Sequence, residues 1–339
     1  MEMHDAEPRR IESIRDALTV VGSAAASFTE LMECVAVAKA SSDWQLRHRA
    51  AERAFAEMKI GTPNAAKHLS GAAEVVIDTF LKSAGSLTEL PPRLEAAEAW
   101  LDAHRPKLEI AGARDFADEK VKLLAQLLVL LSDSEPEAKV RLCSRLRKVD
   151  RSDLAIQAVR PVANSDRTNV PALTTLGAAY CDMAQYDKAE RALRAALKVQ
   201  PADARARIAL SRVLQESGRE YEAFDEAKLA FAGETSTYTA HRLLAAAAAI
   251  GNAESFDLAV AEVEAAAERR EEGKPDVYLL LLAGEALVEQ GRANEVVDII
   301  DRIAAVGSPL RGQSAKRFAE MKQAARSATR MTLFDSQGT

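Results

Sequence analysis

The chain has 339 residues, of which 48% are hydrophobic but only 5% are aromatic, so alanine and leucine carry the core. This composition favours closely packed helices over β-sandwiches, which are rich in β-branched and aromatic residues. The net charge of −6 argues against a general binder of polyanions, and 11 prolines with 15 glycines are too few for a long disordered interior.

Three cysteines, Cys34, Cys143 and Cys181, lie far apart in the sequence and form no CxxC pair. They predict neither a zinc site nor a disulfide framework, so we expect small buried thiols in a reducing cytoplasm. The most apolar run, residues 121–131, is too short to cross a bilayer of about 30 Å, and we expect no membrane partner. Charged residues interrupt the apolar stretch that follows Arg10, which argues against a signal peptide.

The first 135 residues show helical periodicity without a repeated signature. Pro8 suits the first turn of a long helix. The predicted helices of this region cover residues 8–40, 44–60, 65–84, 93–104 and 116–131. Residues 85–92 are the best candidate for an internal hinge. We interpret residues 1–135 as an irregular helical bundle that supplies a second contact or a homodimer interface.

A different pattern governs residues 170–203. Apolar and small residues and one proline occur there at fixed steps, namely Leu173, Leu176, Gly177, Tyr180, Ala189, Leu193, Ala196 and Pro201. The pattern resembles the tetratricopeptide repeat (TPR), a 34-residue unit of two antiparallel helices. Gly177 and Ala189 are small enough to let the two helices approach closely, and Pro201 ends the second helix.

The 34-residue frame extends on both sides of this unit. One period later a unit starts at Ala204, with Ser211 in place of the glycine, and one period earlier a degenerate unit starts at Pro136. Towards the C-terminus a longer hairpin covers residues 237–270, and residues 277–310 return to register, closed by Ser308-Pro309. A capping helix over residues 314–330 then covers the last apolar face.

The predicted fold is therefore all-α. An N-terminal helical bundle (residues 1–135) precedes a TPR-like right-handed α-solenoid (136–330), and residues 331–339 form a flexible tail.

Motifs of catalysis and metal binding are not found. The five histidines lack HExxH spacing, the Gly61-Thr62-Pro63 region lacks the second glycine of a phosphate-binding loop, and no GxSxG elbow occurs. We predict no catalytic residue, no metal and no cofactor. An enzyme with an unrecognised all-helical site is a second alternative.

The resemblance also implies a binding groove lined by the first helix of each unit, at unit positions 2, 5, 9, 12 and 13. The candidate partner-binding residues are Arg147, Lys148, Thr174, Arg205, Ile208, Arg212, Tyr278 and Leu281. Thr174 and Ala178 lack the lysine and asparagine with which members of the family clamp chaperone C-termini. The resemblance therefore implies a different protein partner.

A basic cluster on residues 139–151 indicates the chemistry of that partner. The cluster comprises Lys139, Arg141, Arg145, Arg147, Lys148 and Arg151. Together with Arg205 and Arg212 it predicts an acidic partner segment, because a guanidinium binds a carboxylate through two hydrogen bonds. A solvated helix face and a nucleic-acid contact are the alternatives.

The C-terminal tail contains a second short motif. Leu333-Phe334 resemble the peptide with which bacterial replication proteins dock into the sliding clamp, with Arg330 in place of the glutamine that begins that motif. The alternative is a tail folded onto the last helix.

The TPR resemblance and the lack of catalytic motifs together imply a function. We expect a cytoplasmic, bacterial, non-catalytic scaffold or regulator whose groove binds a segment of a partner protein. A nucleic-acid-associated regulator that uses residues 139–151 is the alternative.

Overall fold

A computed structural model describes residues 11–269, 275–307 and 310–336, with residues 329–336 described through their backbone only. Every regular element of these residues is a helix, as the composition predicts. The chain divides into two compact units, Met1–Ser165 and Asp166–Thr339. The helices of the first unit are α1 (Ile14–Gly22), α2 (Phe28–Ala40), α3 (Trp44–Glu57), α4 (Ala65–Ser83), α5 (Leu90–Ile110), α6 (Arg114–Ser132), α7 (Pro136–Lys148) and α8 (Ser152–Ser165).

The second unit is a series of antiparallel hairpins followed by a long last helix. Its helices are α9 (Val170–Asp182), α10 (Tyr186–Val199), α11 (Ala204–Glu216), α12 (Glu220–Gly233), α13 (Thr237–Ile250), α14 (Ala253–Glu268), α15 (Val277–Glu289), α16 (Val297–Ala305) and α17 (Gly312–Ser336), with a 3₁₀ turn at Ala293–Val296 before α16. None of the described helices is both long enough and apolar enough to cross a membrane.

The first predicted helix is in fact two helices. Ser13 caps α1 by accepting a hydrogen bond from the Asp16 amide at 3.2 Å. A capping box then starts α2, because the Ser27 amide donates to the Glu30 carboxylate at 2.8 Å while the Glu30 amide donates to the Ser27 hydroxyl. These caps favour two helix starts over one continuous helix. Pro8, which suggested the earlier start, lies outside the described residues.

Helix α5 is longer than the predicted segment 93–104. Pro91 and Pro92 lie in its first turn, where a helix needs no amide donor, rather than in a linker. The helix also continues past Pro106 and ends at Ile110. The proposed hinge therefore shortens to the residues before Leu90, where the Gly85 amide donates to the Glu89 carboxylate at 2.8 Å.

The hairpin α7–α8 lies in the first unit, whereas the sequence frame groups it with the later repeats. Arg151, in the turn between the two helices, is only 4% exposed. Its guanidinium donates to the carbonyl oxygens of Leu81 and Ala84 at the end of α4. The Lys82 ammonium donates to the Asp150 carbonyl at 2.7 Å. These hydrogen bonds fasten the turn to α4.

The hairpin α9–α10 has the close helix contact that the TPR pattern predicts. A methyl group placed on Gly177 would lie 2.5 Å from Cγ of Leu193 and 3.2 Å from the carbonyl oxygen of Ala189. Ala189 and Leu193 are fully buried. The prediction that small residues allow this approach is confirmed.

One repeat later, Ser211 occupies the position of Gly177. Its side chain is fully buried, and its hydroxyl donates to the Ala223 carbonyl at 2.6 Å. Ala223 is the counterpart of Ala189 in this hairpin. The buried hydroxyl is therefore hydrogen-bonded where the two helices meet. The α11–α12 hairpin thus accommodates a serine where the preceding hairpin has a glycine.

The last helix differs from its prediction at both ends. Helix α17 begins at Gly312 and continues to Ser336, so the segment predicted as a flexible tail from residue 331 is helical in its described part. Met321 and Ala325 on this helix are buried in the core of the second unit. The closing pair Ser308-Pro309 lies outside the described residues.

Candidate functional site

The first helices of successive hairpins form a continuous surface in the second unit. Helix α9 contacts α11, α11 contacts α13, α13 contacts α15, and α15 contacts α17. We call the exposed surface of α9, α11, α13 and α15 the first-helix face. In α9 and α15 the eighth residue, Gly177 or Gly284, points towards the packed interior. Each of these helices buries one side in this way, and only its exposed residues, such as Arg205 and Tyr278, are available to a partner.

Two arginines lie together where α11 meets its neighbours. Nη1 of Arg212 is 2.9 Å from Oδ1 of Asp182 on α9. Nε of Arg242, on α13, donates to the Ser211 hydroxyl at 2.9 Å, and its Nη2 donates to the Gln215 side chain. These contacts connect three successive first helices through side chains.

The charge at this junction is positive. Burial lowers the pKa of Arg242, and the neighbouring Arg212 guanidinium lowers it further. Arg205 is exposed on the same helix as Arg212. Asp182 pairs with Arg212, and the Glu216 carboxylate acts on both Arg212 and Arg242, so the exposed Arg205 adds a further positive charge to this helix. The sequence did not predict Arg242 as a site residue. Counted from Thr237, the first residue of α13, it lies at position 6, which is not one of the groove positions that the family pattern implies.

The other predicted groove residues of this unit have different environments. Tyr278 is 50% exposed, whereas Leu281 is 1% exposed and Ile208 is 6% exposed. Leu281 and Ile208, which the sequence places among the groove residues, lie in the packed interior, so little of either side chain is accessible to a partner. Thr174 is half-buried, and its hydroxyl oxygen has no hydrogen-bond partner among the described residues.

The basic cluster of residues 139–151 is partly used by the fold. The buried Arg151 binds the end of α4, and the Lys139 ammonium donates to the Leu131 carbonyl at 3.2 Å. Arg147 is half-buried, and Lys148 is exposed. Arg147 and Lys148 lie in the first unit, and the other candidate residues lie in the second. The side chains of Leu333 and Phe334 are outside the described part of the chain.

A cavity of about 360 Å³ opens between α13, α15 and α17. Its apolar wall includes Ala245, Ala248, Phe256, Val288 and Met321, and its polar wall consists of His241, Glu285, Glu289, Gln290, Arg317 and Glu320. The run of alanines over residues 245–249 leaves this space, because a methyl group fills little of the gap between helices. That run is the signal that the sequence analysis missed.

Charged groups at the cavity are predominantly acidic. The Arg317 guanidinium binds the Glu285 carboxylate through Nε and Nη2, and these hydrogen bonds raise the pKa of Arg317. The one arginine of the wall is thus neutralised by one of three glutamates. The first-helix face is basic around α11 and acidic around α15.

The three cysteines are buried and form no disulfide, as predicted. Burial raises the pKa of the Cys34 thiol to about 11. At neutral pH this side chain is a thiol rather than the reactive thiolate.

Three features define a TPR-like helical repeat protein. They are the 34-residue spacing, the close helix contact at Gly177 and the adjacent first helices of successive hairpins. No family model and no curated protein matches the sequence. The structure is similar to a tetratricopeptide repeat protein from Parabacteroides merdae ATCC 43184, with 13% identity, 88% of this chain and 98% of that chain covered, and a TM-score of 0.39.

Two further solved structures are similar to this chain. MamA is 20% identical, with 49% of this chain and 94% of that chain covered and a TM-score of 0.37. Yeast Tom70 is 12% identical, with 94% of this chain and 82% of that chain covered and a TM-score of 0.45.

Proposed function

We propose that this protein is a non-catalytic scaffold whose first-helix face binds an extended segment of a partner protein. The observation that carries the proposal is the alanine-floored cavity between α13, α15 and α17, which lies beside exposed polar groups of the same face. An apolar pocket with a few polar groups at its edge is the usual form of a binding site.

The charges of the face indicate the composition of that segment. Arg205 and Arg212 on α11 suit an acidic residue, because guanidinium groups bind carboxylates with paired, charge-assisted hydrogen bonds. Glu289 and Glu320 at the cavity suit a basic one. The segment that we propose has an acidic end over α11, an apolar side chain in the cavity and a basic residue beside it.

Substitutions that fill the cavity or reverse the charge test this function. Ala248→Trp places an indole in the cavity, and Arg205→Glu reverses an exposed charge on α11. Ala304→Trp, on the exposed surface of α16, and Arg191→Glu, on the exposed surface of α10, are the matched controls. Each variant is first checked for native helix content by circular dichroism.

The measurement is affinity capture by the full chain from an extract of its native host, followed by mass spectrometry and mapping with overlapping peptides. We expect one protein to be captured by the wild type and by both controls, but lost with Ala248→Trp and weakened with Arg205→Glu. The same proteins captured in equal amounts by all five chains would show that the contact lies elsewhere.

A homodimer through the N-terminal helices is the second contact that the sequence predicts. Light scattering over a range of protein concentrations measures it directly. If the molar mass equals that of one chain throughout that range, the dimer is contradicted. The proposed role of the first-helix face is not affected by that result.

A further inference from the structure

A second cavity, of about 500 Å³, lies within the first unit. The start of α3, the end of α4 and the start of α5 surround it. Its lining residues are Trp44, Gln45, His48, Arg49, Thr79, Phe80, Ser83 and Arg93. Aromatic rings make up much of this wall although aromatic residues are only 5% of the chain.

The aromatic wall is held by internal contacts. The Thr79 hydroxyl donates to the Val76 carbonyl at 2.7 Å, so its oxygen accepts the hydrogen bond from Nδ1 of His48, also at 2.7 Å. The His48 ring meets Phe80 edge-on, with ring centroids 4.8 Å apart. Because these rings are fixed before a ligand arrives, binding does not have to order them.

Trp44 also has a contact within the fold. The Arg47 guanidinium lies 5.3 Å from the centre of the Trp44 ring. Arg47 is itself buried and forms an ion pair with Asp78 at 2.7 Å. The charge of Arg47 is thereby neutralised within the fold, and its role at the cavity is to support the indole.

The two arginines of the cavity wall, Arg49 and Arg93, differ from the nearby Arg53 in their ion pairing. Arg53, one turn after Arg49 on α3, pairs with Glu57 at 3.7 Å. Arg49 and Arg93 are exposed, and no carboxylate of the described residues lies within ion-pair distance of either. Glu52, the acid beside the cavity, contacts His48 instead, at 3.4 Å. The mouth of the cavity therefore has two positive charges that form no ion pair with any carboxylate of the described residues.

We propose that this cavity binds an acidic peptide segment of a partner protein that carries an aromatic side chain. The aromatic side chain packs against Trp44 and Phe80, and carboxylates on either side of it bind Arg49 and Arg93. Aromatic pairs prefer offset or edge-on contacts, and arginine binds carboxylates through two parallel hydrogen bonds.

A peptide fits this cavity better than a free small molecule does. Gln45, Ser83 and both arginines are exposed, so the mouth is wide. A drug-sized ligand is normally buried over most of its surface, about 70–90%. An anchored side chain on a longer segment gains further contacts outside the cavity and does not need that enclosure.

The two tryptophans of the chain allow a direct test. Trp100 lies elsewhere in the first unit, stacked on His104 with ring centroids 4.3 Å apart. In a Trp100→Phe chain, Trp44 is the only tryptophan, so its emission reports on the cavity alone. The probes are capped synthetic peptides in which a central phenylalanine is flanked by glutamates, the same peptide with lysines, and the glutamate peptide with alanine at the centre.

The proposal expects a saturable change of Trp44 emission with the Glu-Phe-Glu peptide. It also expects at least about tenfold weaker binding of the Lys-Phe-Lys and Glu-Ala-Glu peptides, which corresponds to 1.4 kcal/mol. Arg49→Glu with Arg93→Glu should lower the affinity by a similar factor. Arg114→Glu, an exposed arginine of α6 outside the cavity, should leave it unchanged.

Four outcomes would overturn the proposal. These are no saturable signal with the Glu-Phe-Glu peptide, equal affinity for the lysine peptide, an unchanged affinity in the Arg49 and Arg93 double variant, and tighter binding of a single-stranded oligonucleotide than of any peptide. The last outcome would assign the cavity to nucleic acid. Circular dichroism of each variant establishes that the fold is intact before affinities are compared.

Discussion

The two units of the protein use their cationic side chains differently. In the first unit, lysine and arginine side chains from other elements bind the carbonyl oxygens at the ends of helices. Arg53 binds the end of α1, Lys107 the end of α3, Arg151 the end of α4 and Lys139 the end of α6. Each of these contacts has its own sequence separation and geometry.

In the second unit the cations connect one repeat to the next. These pairs join Arg219 to Glu190, Arg292 to Asp257, Arg302 to Glu264 and Arg317 to Glu285, with sequence separations of 29, 35, 38 and 32 residues. The separations are close to one repeat, because neighbouring hairpins place equivalent helices side by side. The comparison teaches that the first unit adds individual contacts to helix ends, of which those of Arg151 are buried, whereas the second distributes its polar contacts along a periodic surface.

The sharpest way to test this difference is to remove the most buried cation of the first unit. Arg151→Met should destabilise the protein by about 3 kcal/mol, because it leaves the carbonyls of Leu81 and Ala84 without their donor and Asp153 without its partner. Urea denaturation monitored by circular dichroism measures the change. Arg141→Met, on the exposed surface of α7, is the control and should stay within about 0.5 kcal/mol.

The pH dependence of stability provides a second readout for Arg151. Burial raises the pKa of Asp153, but the hydrogen bond and charge of Arg151 outweigh it and hold that pKa below its usual value. The ionised carboxylate therefore stabilises the fold above its unfolded-state pKa of about 4, and this contribution is lost as the pH falls through the folded-state pKa. Stability should fall less steeply with acid in Arg151→Met than in the wild type. Parallel curves would contradict the assigned pair.

The next largest effect concerns the close contact of the repeats. Gly177→Ala should cost about 1–3 kcal/mol, because its new methyl group would lie 2.5 Å from Cγ of the buried Leu193. Gly71→Ala is the matched control, since Gly71 lies inside α4 with open space around it. That change should stabilise the protein by about 0.5–1 kcal/mol. Thermal melts of both variants test whether the signs are opposite.

The repeat units were the part of the fold that the sequence predicted well. Gly177, Ala189 and Leu193 occupy positions where the two helices of a hairpin meet, and small or apolar residues follow one period later at Ser211, Ala223 and Ala227. One register therefore locates several helices at once. The role of Arg151 was not predictable in this way. Its partners Leu81 and Ala84 lie 70 and 67 residues away, and their backbone carbonyls leave no trace in the sequence.

The candidate site was predicted less well than the fold. Arg205 and Tyr278, at unit position 2, are exposed, but Ile208 and Leu281, at unit position 5, lie in the interior. The family positions therefore do not by themselves give exposure, because the packing of each helix against its neighbours decides which side chains are covered. The cavity over α13 depends on side chains that are small, so its only sequence signal is the alanine run of residues 245–249.

A smaller effect is expected where serine replaces the repeat glycine. Ser211→Ala should cost about 1 kcal/mol, because it removes the hydroxyl that donates to Ala223 and accepts from Arg242. Ser211→Ala, Arg242→Met and the double variant form a thermodynamic cycle measured by urea denaturation. An interaction energy of about 0.5 kcal/mol or more is expected for residues in one hydrogen-bond network. Strictly additive effects would contradict the coupling of α11 to α13.

The smallest effect should come from the periodic pairs themselves. Arg302→Met removes contacts with Glu264 and Glu268 on α14, but these groups are partly exposed, and exposed pairs contribute about 0–1 kcal/mol. The loss should shrink further in about 1 M salt, where charges are screened over about 3 Å. The cost of Ser211→Ala should respond less to salt, because its hydroxyl is fully buried and, of its two hydrogen bonds, the one to Ala223 is uncharged and only the one from Arg242 involves a charge. Denaturation of both variants at low and high salt therefore separates a screened contact between repeats from a buried one. A cost for Arg302→Met as large as that of Arg151→Met would remove the distinction between the two units.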